Sequence, residues 1–234
     1  MSLVTANNLE KTYQMGEISI KAIGGVDFTI EPASFVAFVG PSGSGKSTLL
    51  NMIGCLDPPT KGTLTVAGQD IIRMNRKQAA KFRGEHIGFV FQDFNLIPVL
   101  TVLENVEYPL LMVQNWPAQK RKKRVIELLE TVGMGDQADK YPGQISGGQK
   151  QRVAVARALV TNAKLVLADE PTANLDGETA NRIIRLMKKM RDEFDTTFVF
   201  STHDPKVMQN AEIVFTLEDG KLSKRKNEEG GAHA

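Results

Sequence analysis

Residues 40–47 read Gly40-Pro41-Ser42-Gly43-Ser44-Gly45-Lys46-Ser47, and no other stretch narrows the possible folds as far. The run fits G-x-x-x-x-G-K-[ST], in which glycines let successive backbone N–H groups curl around phosphate oxygens. It follows the apolar run Phe35-Val36-Ala37-Phe38-Val39, the mark of a strand buried on both faces. It leads into a helix-forming stretch over 46–53, whose N-terminus adds partial positive charge where a phosphate would sit. The pattern gives Lys46 the β- and γ-phosphates and Ser47 a Mg²⁺ ion, with Thr48 next on the helix. The dinucleotide pattern G-x-G-x-x-G does not fit, because Thr48 stands where its last glycine belongs.

The rest of the chain suits that beginning. Residues 18–30 carry β-formers, and Glu31-Pro32-Ala33-Ser34 breaks the run. Strands are predicted over 63–66 and 87–91, with a helix over 75–83. In the middle, Val125, Leu128, Leu129 and Val132 fall at helical spacing, and 149–160 also reads as helix. The last third alternates strand 165–168, helix 178–194, strand 197–200 and strand 213–217. That rhythm implies an α/β fold with a mostly parallel sheet and helices on both faces. Glu218-Asp219-Gly220 reads as a turn, and from Ser223 onward the polar tail is expected to fray.

Two further groups of residues carry chemistry. The apolar strand 165–168 ends in Asp169-Glu170. Ligands of doubly wound sheets bind beyond the C-terminal strand ends, so Asp169 is placed for a Mg²⁺ shell and Glu170 to deprotonate an attacking water. His203 follows the strand 197–200, where it could touch a γ-phosphate, whereas His86 and His233 have no such setting. Ile145-Ser146-Gly147-Gly148-Gln149 opens a helix and forms a second small-residue nest for an anion. Two anion nests in one chain allow two ligands, or one ligand shared between two chains, and spacing alone leaves both open.

With these motifs in this order, the chain resembles the ATP-binding cassette family over nearly its whole length. The resemblance implies a P-loop core with an antiparallel β subdomain over 1–92 and 162–222, a helical subdomain over 93–161 and a polar tail over 223–234. It implies that Gln92 links Mg²⁺ to a transport partner, that Tyr13 stacks on adenine and that Ala173-Asn174-Leu175-Asp176 forms the D-loop. It further implies head-to-tail pairing of two cassettes, each nest at Ser146 completing the other chain's ATP site, and a separate membrane permease as partner. A finer likeness is to ATPase subunits of the lipoprotein-releasing, macrolide-export and cell-division type. It rests on Gly88-Phe89-Val90-Phe91-Gln92 with Phe94-Asn95-Leu96-Ile97-Pro98, on Leu103-Glu104-Asn105-Val106 and on Glu170-Pro171-Thr172 leading into the D-loop. Two positions depart from the family pattern. Ile145 replaces a leucine, a volume-conserving change. Ala33 replaces a glycine, which is costly if the turn is type II and harmless if it is type I.

Composition narrows the alternatives. A net charge of +2 in 234 residues argues for no nucleic-acid partner. The single cysteine, Cys55, suits a reducing compartment, and no apolar run reaches the 18 or so residues of a membrane span. The N-terminus lacks a signal-peptide pattern, so the chain is expected at the cytoplasmic face of a membrane, held there by its permease. About a hundred residues separate Ser47 from Ser146, without sustained heptads, which disfavours a DNA-repair ATPase; a translation factor would carry two cassettes. The basic run Lys120-Arg121-Lys122-Lys123-Arg124 reads first as a solvated helix face and second as a lipid or permease contact. Phe94, Leu96, Ile97, Val99 and Leu100 supply core and, where exposed, a docking groove.

Overall fold

The computed structural model describes residues 1–226. The chain runs β1 (Val4–Met15), β2 (Ile18–Ile30), β3 (Phe35–Val39), α1 (Lys46–Ile53), β4 (Lys61–Val66), β5 (Gln69–Asp70), α2 (Arg76–His86), β6 (Ile87–Val90) and α3 (Val102–Met112). It continues through α4 (Ala118–Thr131), α5 (Gly147–Leu159), β7 (Leu165–Asp169), α6 (Gly177–Phe194), β8 (Thr197–Ser201), α7 (Pro205–Asn210), β9 (Ile213–Glu218) and β10 (Lys221–Lys226).

A six-stranded sheet of order β10-β9-β3-β8-β7-β6 is parallel except at β10, and a four-stranded antiparallel sheet has the order β2-β1-β4-β5. The continuous apolar strands are explained by two cores. Phe35, Ala37 and Val39 join Val166, Ala168, Phe198 and Phe200 in one, with side chains from α3 to α6 such as Val106, Leu128, Val155 and Met187. Val36 and Phe38 join Leu165, Leu167 and Val199 in the other, with Leu49 and Met52 of α1 and Leu9, Ile23 and Leu64 of the antiparallel sheet. Alternate side chains thus point to opposite faces, and both faces are covered. Each fully buried Phe or Leu in these layers contributes about 1.5–3 kcal/mol of transfer free energy.

The order β3-β8-β7 has a functional result. Ala168 pairs with Phe200, Asp169 with Ser201, and Phe38 with Ser201, so the C-terminal ends of three strands lie side by side. Gly40, Glu170 and His203 follow directly from those ends.

One expectation needs correction, and two readings left open are decided. The stretch from Ser223 does not fray at once: Lys221–Lys226 forms β10, paired with β9 through Lys226–Ile213. The turn is made by left-handed Asp219 and Gly220, and Leu222 packs on the second core, which together outweigh the polarity of its neighbours. The remainder of the predicted tail, with His233, lies outside the described residues. Ala33 has φ 53°, the left-handed conformation that a type II turn requires and a type I turn does not. The basic run is a solvated face at Lys120, Lys122 and Lys123, which are exposed, while Arg121 and Arg124 are half-buried and bonded. Arg121 pairs with Glu107 at 2.9 Å, Lys120 lies over the Trp116 ring, and Arg124 bonds the carbonyls that end α5 and Asn162 Oδ1.

Candidate functional site

Helix α1 begins without a side-chain cap. Its N-cap is Gly45, left-handed at φ 101°, and among the described residues no protein group bonds the backbone N–H of Lys46, Ser47 or Thr48. A helix start normally leaves such donors to caps or water. Here they open on a cavity of about 630 Å³, lined by every residue of 40–48 except Ser44, and by Ala22, Gln92, Glu170, Ser201 and His203. That volume is within the range of small-molecule sites. The loop is shaped by close approach. A Cβ on Gly40 would fall 2.1 Å from the Leu217 carbonyl oxygen, and one on Gly45 2.6 Å from that of Ala22. Lys46 is folded along the loop, its ammonium donating to the Gly40 and Pro41 carbonyls at 2.9 Å each.

Across the cavity Ser47 Oγ donates to Asp169 Oδ1 at 3.2 Å, although 122 residues separate them. Two hard oxygen donors brought together in this way suit Mg²⁺, which takes one or two protein groups and completes its shell with water and phosphate. Next to Asp169, Glu170 has φ 46°, a left-handed conformation that costs a non-glycine residue about 1–3 kcal/mol. It is held by its N–H bond to the Ser201 carbonyl and by its side chain. Glu170 Oε1 lies 2.7 Å from His203 Nδ1, and Oε2 accepts from the Thr202 hydroxyl at 3.3 Å. An ionised carboxylate only accepts, so Nδ1 carries the hydrogen of that bond. The pair can orient a water and receive its proton. Ser44 Oγ and Ser201 Oγ are buried without a hydrogen-bond partner, at a cost of about 1–3 kcal/mol each, and Ser201, which lines the cavity, is placed for a ligand's oxygen to relieve it.

The second nest is built differently. Ser146 caps α5: its Oγ accepts from the Gln149 N–H at 3.3 Å, and Gln149 Oε1 accepts from the Ser146 N–H at 2.8 Å. Residues 146–149 line a cavity of about 440 Å³ with Asn174, Asp176, Thr179 and Arg182. This cavity shares no lining residue with the phosphate cavity. Asp176 is the N-cap of α6, and hydrogen bonds from the backbone and side chain of Thr179 hold its carboxyl below the usual range. The structure therefore groups Asp176 with residues 146–149 and separates both from Lys46. Tyr13 lines neither cavity. It stands beside Thr48, with its phenol donating to Asp57 Oδ2 at 2.6 Å. Burial and that bond push its ionisation up.

Several contacts had no signal in the sequence. Asn174 Nδ2 donates to the Gln92 carbonyl and to Asp93 Oδ1, tying the segment after Glu170 to Gln92. Gln151, fully buried in α5, donates to the Pro171 carbonyl at 2.7 Å. Arg157 donates to the carbonyls of Phe94 and Asn95, both left-handed at φ 61° and 47°. Of the apolar residues after Gln92, Leu96 packs on the core and Val99 is exposed.

Comparison with known proteins gives the family. The profile of the ABC transporter family matches residues 23–173. The chain is 42% identical to a macrolide export ATP-binding/permease protein, MacB, of Syntrophobacter fumaroxidans, covering 94% of this chain and 31% of that longer protein. It is 40% identical to the lipoprotein-releasing system ATP-binding protein LolD 1 of Caulobacter vibrioides over 98% of both chains. Among solved structures it is similar to MJ0796 of Methanocaldococcus jannaschii in a dimeric post-hydrolysis state bound to ADP and Pi, with a TM-score of 0.87, 44% identity, and coverage of 95% of this chain and 98% of that one.

Proposed function

The chain belongs to the ABC transporter family, and on that premise we propose how its residues divide the work. It is an ATP-binding and ATP-hydrolysing subunit, the motor of a transporter. The reading of residues that follows is carried by one observation: the uncapped start of α1, Ser47 with its bond to Asp169 behind it, and the Glu170–His203 pair line one cavity.

The free N–H groups of residues 46–48 bind phosphate oxygens, and Lys46 exchanges its loop carbonyls for the β- and γ-phosphates. Ser47, Asp169 and Gln92 would hold Mg²⁺, which when bound would supply charge to offset that developing on the phosphates. Glu170 takes a proton from the attacking water as its oxygen bonds to the γ-phosphorus and the bond to ADP breaks. His203 orients Glu170 and lies against the γ-phosphate. Tyr13 stacks on the adenine. The nest 146–149 and Asp176 serve the ATP site of a second copy, as the separation of the two cavities favours.

MacB is named for cassette and permease together, and this chain spans 31% of it. No helix among the described residues is long and apolar enough to cross a membrane. We place the motor on the cytoplasmic face of a membrane, beside a separate permease of the export or lipoprotein-release type. Phe89 and Phe91, stacked at 5.8 Å beside Arg157 in a groove next to Gln92, are the surface we assign to that permease.

The test is Glu170→Gln. The amide keeps the size of the carboxylate and an oxygen for His203 but takes no proton. ATP affinity should stay within about twofold, equivalent to about 0.4 kcal/mol. Hydrolysis should fall by a factor of about a hundred or more. A dimer should accumulate in light scattering on adding ATP. Turnover at the wild-type rate removes Glu170 from this role.

A further inference from the structure

Asp57 lies in the loop after α1, outside both cavities that hold the candidate site residues. Its two carboxylate oxygens have different partners on β1. Oδ1 pairs with the Lys11 ammonium, which also donates to the Pro58 carbonyl at 2.7 Å. Oδ2 accepts the Tyr13 phenol hydrogen at 2.6 Å. The same ammonium lies over the Tyr13 ring, 4.9 Å from its centroid. Lys11 is buried, while Tyr13 keeps 36% of its surface. One carboxylate thus fixes the edge of the ring and the cation on one of its faces, leaving the opposite face for a partner. The backbone ties the same two segments together. Thr60 N–H donates to the Glu10 carbonyl at 2.8 Å, and Thr12 N–H to Thr60 Oγ1 at 3.0 Å.

The loop 57–60 continues from α1, and α1 carries the phosphate-binding residues at its other end. A nucleotide has a limited reach between base and phosphates, so a ring that stacks on the base must be held within that reach of the phosphate loop. We infer that Asp57 is a positioning residue for nucleotide binding, anchoring the Tyr13 ring to the far end of the phosphate-loop helix so that base and phosphates are engaged together. The inference rests on the assignment of Tyr13 to the base. It also bears on specificity. The phenol hydrogen is committed to Asp57, so Tyr13 offers the base a π face and no donor.

The experiment compares two probes by calorimetry on the full chain. ATP spans both ends, and inorganic tripolyphosphate engages the phosphate end alone. Asp57→Ala should weaken ATP about five- to tenfold and leave tripolyphosphate within about twofold. Tyr13→Ala should do the same, and the double variant should be no weaker than Tyr13→Ala, because Asp57 acts through that ring. Asp57→Asn keeps an acceptor for the phenol and should recover most of the ATP affinity; it also serves if the alanine variant folds poorly. If Tyr13→Ala leaves ATP affinity unchanged, the assignment of Tyr13 fails and the inference falls with it. If Tyr13→Ala weakens ATP but Asp57→Ala does not, the ring needs no anchor and the inference alone is overturned. Equal loss for ATP and tripolyphosphate in Asp57→Ala, with Asp57→Asn no better, assigns Asp57 to holding α1 itself and also overturns it.

Discussion

Helices α1 and α5 both begin in small residues, and both starts read as anion nests, yet they are built in opposite ways. At α1 the cap is a left-handed glycine with no side chain to offer, and the first donors are left unpaired. At α5 the cap is a serine, locked with Gln149 into a reciprocal box that satisfies two donors from within. The first start is completed by a ligand, whereas the second is already complete as a piece of protein and leaves only the Gly147 and Gly148 donors unbonded among the described residues. Affinity for nucleotide should therefore reside at α1. The start of α5 should respond to a nucleotide already held elsewhere.

The largest test of that contrast removes the cation at the open start. Lys46→Ala should lose ATP affinity by about a hundredfold or more, close to 3 kcal/mol, in a calorimetric titration. Affinity within about twofold of wild type would erase the distinction. Ser146→Arg, at the closed start, should bind ATP as a monomer but fail to pair. Mixed with Lys46→Ala, it should regain ATP-driven pairing, since both defects then fall in one of two shared sites. Energy transfer between differently labelled variants, with Mg²⁺ and a slowly hydrolysed analogue, reads this out. A mixture that never pairs, while wild type does, breaks the shared-site model.

The other end of α1 sharpens the comparison. Cys55, just past the helix, has its thiol pushed up to about 11, because burial disfavours the thiolate more than nearby Arg83 favours it. One end of the helix is made for an anion, and the other resists one. The sign follows directly: the folded thiol keeps its proton until the pH approaches 11, whereas an unfolded chain releases it near 8.5. At pH 8.5 the folded protein should alkylate with iodoacetamide roughly a hundredfold more slowly than in denaturant. Equal rates would mean that the thiol is not shielded.

The smallest effect comes from deleting the same hydroxyl at both starts. Ser146→Ala removes a cap and should cost about 1 kcal/mol of stability in chemical denaturation. Ser44→Ala removes a buried hydroxyl that has no partner, so stability should be unchanged or higher. Matching stability losses at both positions would mean that the two starts are alike after all.

The same contrast explains what could be read from the sequence. The phosphate loop, the strand ends at Asp169-Glu170 and the Ser146 nest are local, so adjacent residues announce them. α2 was legible because Asn75 caps it and Gln78 completes the box. α3 was not read as a helix, since Pro109 lies inside it and its Thr101–Glu104 box follows an irregular segment. β1 carries no clear alternation, because its pairing with β2 shifts register three times. The links Lys11–Asp57, Asn174–Asp93 and Arg157–Phe94 span 46 to 81 residues and have no periodicity to betray them. Polarity alone hides β10. Its charged side chains, Lys221, Lys224 and Arg225, suit an edge strand that must not recruit another.

The glycines of the phosphate loop have a consequence for how this chain can vary. Those at 40 and 45 are usually credited to the nucleotide, but the atoms nearest their missing side chains belong to the protein: the carbonyls of Leu217 in β9 and Ala22 in β2. The constraint acts before any nucleotide arrives. A library randomised at either position and screened only for soluble folded protein should already return glycine. Gly43 has a positive φ but open space around it, so selection there should be milder. Two neighbouring strands thus write part of the motif, and a copy of this chain that had lost its catalytic role would keep those two letters for as long as it kept its fold.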